Sequence, residues 1–280
     1  MNTHMWANPA TKAKARTVAS YGHRVIDPDS GALACGYEGE GRLPSIEAIV
    51  DETWFSLRTD KDFAGKKVLV TAGPTHEYID PVRFISNPST GKMGYAIAAE
   101  ARYRGAEVVL VSGPVGIRRP SGIRITGVTS AAEMRDACLA EASSCDVIIK
   151  AAAVGDYRAK NYAERKIKRG DIAEITLELA ANADIAAELG RTKKPGQILV
   201  GFAAETENIT ENATAKLDAK QLDIVAANDV SVEGEGFAAD TNRIEIFFAA
   251  RYGQKPVSIS GSKWEVASGL LDAVSSIMPI

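Results

Sequence analysis

From Lys66 onward the chain repeats one pattern: a short apolar run, a turn rich in Gly or Pro, then a stretch of helical periodicity. KKVLVTAGPT from Lys66 is the first such run, GAEVVLVSGP from Gly105 the second, and IRITGV from Ile123 to Val128 the third. DVIIKAAAVGDY from Asp146, QILVGFAAET from Gln197 and DIVAAND from Asp223 continue the series. Continuous runs of Val, Ile and Leu bounded by turns suit strands buried on both faces. Between them, KMGYAIAAEARYR from Lys92 to Arg104 keeps small residues on one helical face. Thr129 or Ser130 caps the next helix, with Glu133 placed for a capping box. RIEIFF from Arg243 alternates as an edge strand does, and a helix from Ser262 to Ile277 closes the chain. Strands alternating with helices predict an α/β fold: a Rossmann-like, doubly wound, mainly parallel sheet with helices on both faces. Right-handed crossovers then gather the strand C-termini on one edge, where ligands bind.

Residues 1–60 follow a different grammar. They offer a helix from Pro9 to Tyr21, a short apolar strand from Arg24 to Ile26, and a helix from Ser45 to Leu57. DPDSGALACGYEGEGR, from Asp27 to Arg42, holds four glycines and reads as loop, ordered only by packing on something else. The expected division is therefore 1–60 and 61–280.

Composition narrows the function classes. With 45% apolar and 25% charged residues in 280, the chain is an ordinary globular protein long enough for a sizeable core. A net charge of −3 gives no electrostatic case for nucleic acid or an anionic membrane. No apolar run reaches about 18 residues, so no membrane span is expected. MNTHMWANPATKAKAR lacks an apolar signal core. Three cysteines without metal-ligand spacing argue against a disulfide framework or a zinc site, and the cytoplasm is the expected compartment.

The chemistry sits in the loops after the strands. Thr71 to Gly94 is a long loop ending in Ser86-Asn87-Pro88-Ser89-Thr90-Gly91-Lys92, hydroxyls and Gly before a helix start. Such a place attracts phosphate, although an ordinary N-cap has the same residues. Neither a Walker A loop nor GxGxxG is present. After the fourth run, Ala151 and Ala152 allow a flat ligand close to the backbone, and Asp156 can accept from ribose or hold a divalent cation. Lys166, Lys168 and Arg169 form a basic cluster suited to a triphosphate or a solvated turn. Tyr162 and Lys166 match YxxxK of short-chain dehydrogenases, a spacing common by chance. Phe202 suits a stacked base or a core position, and Lys216 and Lys220 form an i,i+4 pair on one helical face.

VTAGPTHEYIDPVRFISNPSTGKMGYAIA, AAVGDYR, KIK, GFAAET, and AANDVS with GFAADTN occur in this order, from about Lys66 to the C-terminal region. Together they resemble phosphopantothenoylcysteine synthetase, the CTP-dependent ligase of coenzyme A biosynthesis. MNTHMW and ACGYEGEGR resemble C-terminal motifs of phosphopantothenoylcysteine decarboxylase, a flavoprotein often fused ahead of the ligase in bacteria. The second resemblance implies a remnant of that domain: its flavin-binding strands and catalytic histidine belong upstream of the Met-Asn motif. Asn2 and Cys35 match its substrate-binding Asn and proton-donating Cys and are expected to be idle. His4 lies inside the motif and is not that histidine. FMN is not expected.

The first resemblance implies condensation of 4′-phosphopantothenate with L-cysteine through an acyl-cytidylate, with CTP as co-substrate, Mg²⁺ or Mn²⁺ as cofactor, and a homodimer. Asn87 matches the asparagine that turns over the acyl-cytidylate, Arg83 an arginine holding the substrate phosphate or carboxylate, and Lys166 a lysine on the CTP phosphates. Ala151, Ala152, Asp156, Phe202, Lys216 and Lys220 match nucleotide-contacting positions. The turn Asn182-Ala183-Asp184-Ile185, with Ala186, matches one usually reading Asn-Pro-Asp-Ile; Ala183 stands where Pro is usual. Gly155 replaces a common Ala. Gly73, Ser89, Thr90, Gly91 and Lys92 form the substrate loop. Two rival readings are a nicotinamide-dependent dehydrogenase and a non-enzymatic assembly subunit. CMP formation dependent on both phosphopantothenate and cysteine separates the ligase from both.

Overall fold

The computed structural model describes residues 1–168, 174–205, 208–229 and 239–279. They form two compact units, Met1–Asp60 and Lys61–Ile280. Among the described residues no helix is long and apolar enough to cross a membrane.

In the first unit Asn2 caps α1 (Thr3–Ala7), its Oδ1 accepting from Met5 N at 2.8 Å. Asn8 caps α2 (Pro9–Ser20) through Ala10 N. The glycine-rich stretch expected as loop is instead a hairpin: β1 (Asp29–Ala32) pairs antiparallel with β2 (Glu38–Arg42). Glycine itself is the reason. Gly41 takes φ +143°, and a Cβ there would stand 2.3 Å from Met1 O. The bare backbone lets Met1 lie along the strand, where its N donates to Gly41 O at 2.8 Å. The expected strand at Arg24–Ile26 does not form. Arg24 turns its guanidinium to Glu52 of α3 (Ile46–Leu57), at 2.6 and 2.9 Å. Three apolar-flanked residues without a ladder do not repay the entropy of a strand.

The second unit runs β3 (Lys67–Ala72), β4 (Glu77–Tyr78), β5 (Phe84–Ile85), α4 (Lys92–Tyr103), β6 (Glu107–Ser112), β7 (Arg124–Gly127), α5 (Ala131–Ala142) and β8 (Val147–Lys150). It continues β9 (Tyr157–Ala159), β10 (Leu179–Ala181), α6 (Ile185–Thr192), β11 (Ile198–Glu205), α7 (Ile209–Ala219), β12 (Ile224–Asp229), β13 (Thr241–Phe248), β14 (Val257–Ser262) and α8 (Lys263–Ser275). One sheet has the order β14-β13-β12-β11-β8-β3-β6-β7. The strands from β12 to β7 are parallel; β13 and β14 add antiparallel. RIEIFF is thus the inner strand β13 and not the edge, because VSISGS pairs along its outer side as β14. β14 was not foreseen; its Ser and Gly residues hide the β signal.

Strand periodicity divides the core. Val68, Val70, Val147, Ile149 and Val200 face α4 and α8, where Ile97, Ala101, Leu270 and Val274 cover them. Leu69, Val109, Ile148, Leu199 and Val225 face α5, α6 and α7, where Met134, Leu189 and Leu217 cover them. Both faces are sealed, which explains the near-continuous apolar strands. Counted by chain order among themselves, the parallel strands lie 3-2-1-4-5-6, so the direction of winding reverses between β3 and β8. Loops leaving those two strands diverge there and open a crevice.

Candidate active site

The loops after β3 and β8 are stitched together at that crevice. Pro74 and Ala153 form a parallel bridge, and Ala153 N donates to Gly73 O at 3.0 Å. Buried Thr71 and Thr75 accept on their hydroxyls from Ala152 N at 3.1 Å and Gly155 N at 3.0 Å. Asn87 crosses from the first loop to the second: its Nδ2 donates to Val154 O at 3.1 Å and Ala153 O at 3.4 Å. Gly91 begins α4 with φ +78°, a left-handed value that suits glycine. A Cβ there would stand 2.7 Å from Val115 Cγ1 and 3.3 Å from Gly73 N. Gly94 presses the first turn of α4 onto β3, with Thr71 O 2.8 Å from where a Cβ would be. These glycines bring the N-terminal turn of α4 to the crevice, where the helix dipole favours anions.

Two cavities open at the C-terminal ends of β8, β11 and β12. The first, about 300 Å³, is lined by Asn87, Ser89, Gly91, Lys92, Ala151, Ala152, Asp156, Phe202, Lys216 and Lys220, with Asn228, Asn242 and Lys263 at one end. The second, about 240 Å³, shares Ala152, Asp156, Phe202, Lys216 and Lys220 and adds Lys150 and Ala183, Asp184, Ile185 and Ala186. The predicted nucleotide residues from the loop after β8, the start of α6, β11 and the end of α7 therefore converge, apart from Lys166. Gly73 packs behind Gly91, and half-buried Thr90 completes the turn before α4. Lys92 is ion-paired with Asp240 at 2.6 Å.

Asn182 fastens the turn that leads into α6. Its backbone N donates to Asp156 O at 2.8 Å and its Nδ2 to Gly155 O at 2.8 Å. Arg158 donates to Ala181 O at 2.6 Å and to Asn182 Oδ1 at 3.1 Å. These bonds anchor the turn in which Ala183 replaces the usual proline. Asp184 caps α6 through Ala187 N at 3.0 Å and pairs with Lys220 Nζ at 2.9 Å. Burial opposes its ionisation, but the donated amides and the Lys220 ammonium prevail and hold its carboxyl below the usual range.

Arg83 and Lys166 stand elsewhere. Arg83 pairs with buried Asp80 at 2.7 Å and donates to Ile167 O, while Ile167 N donates to Asp80 Oδ2 at 3.1 Å. The Lys-Ile-Lys segment is thus clasped at its middle, and Lys166 and Lys168 project as exposed side chains outside the lining of both cavities. Burial resists the Asp80 charge, but amides of Val82, Ile167 and Arg83 and the guanidinium overcome it and lower its pKa to about 2. Arg169, Thr206 and residues 236–238 of GFAADTN lie outside the described residues. In the first unit Asn2 is the cap of α1, and Cys35 is a free, exposed thiol in the turn between β1 and β2.

Lys150, Asn228, Asn242 and Lys263 were not singled out beforehand. The signal was a polar residue closing or opening an apolar strand: VIIK, IVAAND and TNRIEIFF. Among the described residues no group of three His, Cys, Asp or Glu side chains is placed to hold a metal. Exposed Asp156 faces both cavities, and one carboxylate with substrate phosphates is the usual donor set for Mg²⁺, so the residues fit that ion.

Residues 63–278 match the family described as DNA/pantothenate metabolism flavoprotein C-terminal domain, and residues 1–57 match the flavoprotein family. The chain is 46% identical to the coenzyme A biosynthesis bifunctional protein CoaBC of Bacillus subtilis over 280 residues, 99% of this chain and 68% of that protein. It is 41% identical to the protein of the same name from Vibrio vulnificus over 281 residues, covering 99% of this chain and 69% of the relative. A crystal structure of the C-terminal domain of a CoaBC protein superposes with a TM-score of 0.64 at 38% identity, covering 77% of this chain and 96% of that one. The chain belongs to the family of the coenzyme A biosynthesis bifunctional protein CoaBC, with the C-terminal domain of that family spanning residues 63–278.

Proposed function

We propose that the unit from Lys61 to Ile280 joins 4′-phosphopantothenate to L-cysteine using CTP, the step that makes phosphopantothenoylcysteine in coenzyme A biosynthesis. Membership of the CoaBC family assigns the chain to that pathway. The observation that carries the chemistry is the pair of cavities at the strand-order reversal, which share lining residues and include both an anion-favouring helix start and lysines in their walls.

The reaction has two halves. The carboxylate of phosphopantothenate attacks the α-phosphorus of CTP, giving an acyl-cytidylate and pyrophosphate. The cysteine amine then attacks the acyl carbon and expels CMP. The first half brings an anion against a polyanion, so it needs fixed positive charge. The α4 amides, Lys216 and Lys220 supply it in the cavities. Lys166 joins them from its clasped segment as the lysine of the activation step, and Arg83 holds that segment. Phe202 gives a face for the base, and small Ala151 and Ala152 admit it. Asp156 accepts from ribose or holds Mg²⁺, which neutralises phosphate charge when bound. The second half needs a donor for the oxyanion of a tetrahedral intermediate. The Asn87 amide, resting on Val154 O and Ala153 O, is a donor that can swing to it.

The test is CMP formation with CTP and ATP side by side, each with phosphopantothenate and cysteine omitted in turn. CMP that needs both substrates supports the reading. CMP absent, or formed without either substrate, overturns it.

A further inference from the structure

Lys150 ends β8, on the face of Ile148, beneath α5 and α6. Its residue exposure is 8%, and its Nζ has no hydrogen-bond partner among the described residues. It lines the second cavity. Among the described residues, the charged and titratable groups that act on it are already committed. Asp184 is paired with Lys220 and caps α6. Lys220 repels it, and the buried Cys138 thiol is pushed up, hence neutral. Burial alone would push the Lys150 ammonium down toward its neutral form. A buried amine with three donor positions and no acceptor is costly, and folded proteins keep such groups where an acceptor arrives.

Small side chains share that cavity with it: Ala152, Ala183 and Ala186 line it, together with the ring of Phe202. A lysine ammonium only donates, so it selects an edge on which a carbonyl oxygen and a ring nitrogen both accept, as O2 and N3 of cytosine do and no edge of adenine does. We propose that Lys150 is a base-reading residue, donating to the acceptor edge of a pyrimidine, O2 and N3 of cytosine, in the second cavity. The inference rests on the nucleotide-using ligase reading and adds the group that sets which base is preferred. Phosphates are left to the lysines of α7 and the helix start of α4.

The experiment is calorimetric binding of CTP and ATP to the full chain and to K150M, with CMP formation measured in parallel. Removal of a hydrogen bond from a charged donor is expected to weaken CTP binding about tenfold or more. ATP binding is expected to change less than threefold. The melting temperature of K150M is expected to hold or rise, since methionine of similar size removes an uncompensated amine. K150Q, which keeps a donor, is expected to recover part of the CTP affinity. Equal loss for CTP and ATP overturns base reading and makes Lys150 a phosphate ligand. Unchanged CTP affinity with a lower melting temperature makes it a structural lysine. Wild-type protein that binds CTP without forming CMP would overturn the ligase reading and leave the base-reading test standing.

Discussion

Asp80 and Arg83, three residues apart, form an ion pair at 2.7 Å whose partners both also bind the backbone of Ile167. One clasp therefore joins the loop after β3 to the middle of Lys166-Ile167-Lys168. Asp80→Asn keeps the shape but removes the charge, so the segment should loosen. A several-fold rise in KM for CTP, with cysteine KM unchanged, is the expected outcome. Unchanged CTP kinetics would mean that the segment works without the clasp.

The same clasp has a pH signature. The Asp80 pKa is lowered to about 2 in the folded chain, from about 3.9 when unfolded. A depressed carboxyl stabilises above its unfolded value and loses that contribution as pH falls toward the folded one. Hydrogen exchange should therefore find the Ile167 amide protected at pH 5 and progressively exposed from about pH 4 to about pH 2. An amide already unprotected at pH 5 contradicts the clasp.

Asn87 tests the second half-reaction. Asn87→Asp would set a carboxylate against Val154 O and Ala153 O, which Nδ2 now donates to at 3.1 and 3.4 Å. Loss of the donor should cost about a hundredfold or more in amide formation. Pyrophosphate release from CTP and phosphopantothenate should persist. If release vanishes too, Asn87 acts on activation or on loop position instead.

Lys166 tests the first half-reaction. Lys166→Gln should suppress acyl-cytidylate formation itself, because a neutral amide leaves phosphate charge uncompensated. Rapid-quench detection of the intermediate is the measurement. Near-normal accumulation would remove Lys166 from the activation step, in keeping with its place outside both cavity linings.

How much of this was legible in the sequence follows from what each residue type signals. The inner parallel strands announced themselves because burial on both faces forces uninterrupted Val, Ile and Leu, as in KVLVTA and EVVLVS, whereas the edge strand β7, RITG, has no fully buried residue. The cap at Thr129 or Ser130 resolves to Ser130, and Ser262, the expected start of the last helix, caps α8; each accepts from an amide three residues on. β14 was hidden because VSISGS carries polar residues on an edge strand, and β1 and β2 because glycine disguises a hairpin as loop. Motifs located the cavity walls but not their floor. Lys150 counts in sequence as one more lysine; only the fold buries its amine near Cys138, with no acceptor among the described residues.

The opposite end of the sheet offers a control. Asp223, just before β12, is nearly fully buried and accepts from Lys193 Nζ at 2.6 Å, Tyr252 Oη at 2.6 Å and Leu199 N at 2.7 Å, and from Arg251. Burial resists its charge, yet these donors together hold its carboxyl below the usual range. Asp223→Ala strands buried donors and a lysine, which should cost about 3 kcal/mol of stability. Because the group lies at the end of the strands away from the cavities, KM for CTP should stay within twofold in whatever fraction remains folded. Urea denaturation alongside CMP kinetics separates the two effects. A variant of native stability would show that the Asp223 donors find other acceptors, and a raised KM would show that this edge is coupled to the cavities through β11 and β12.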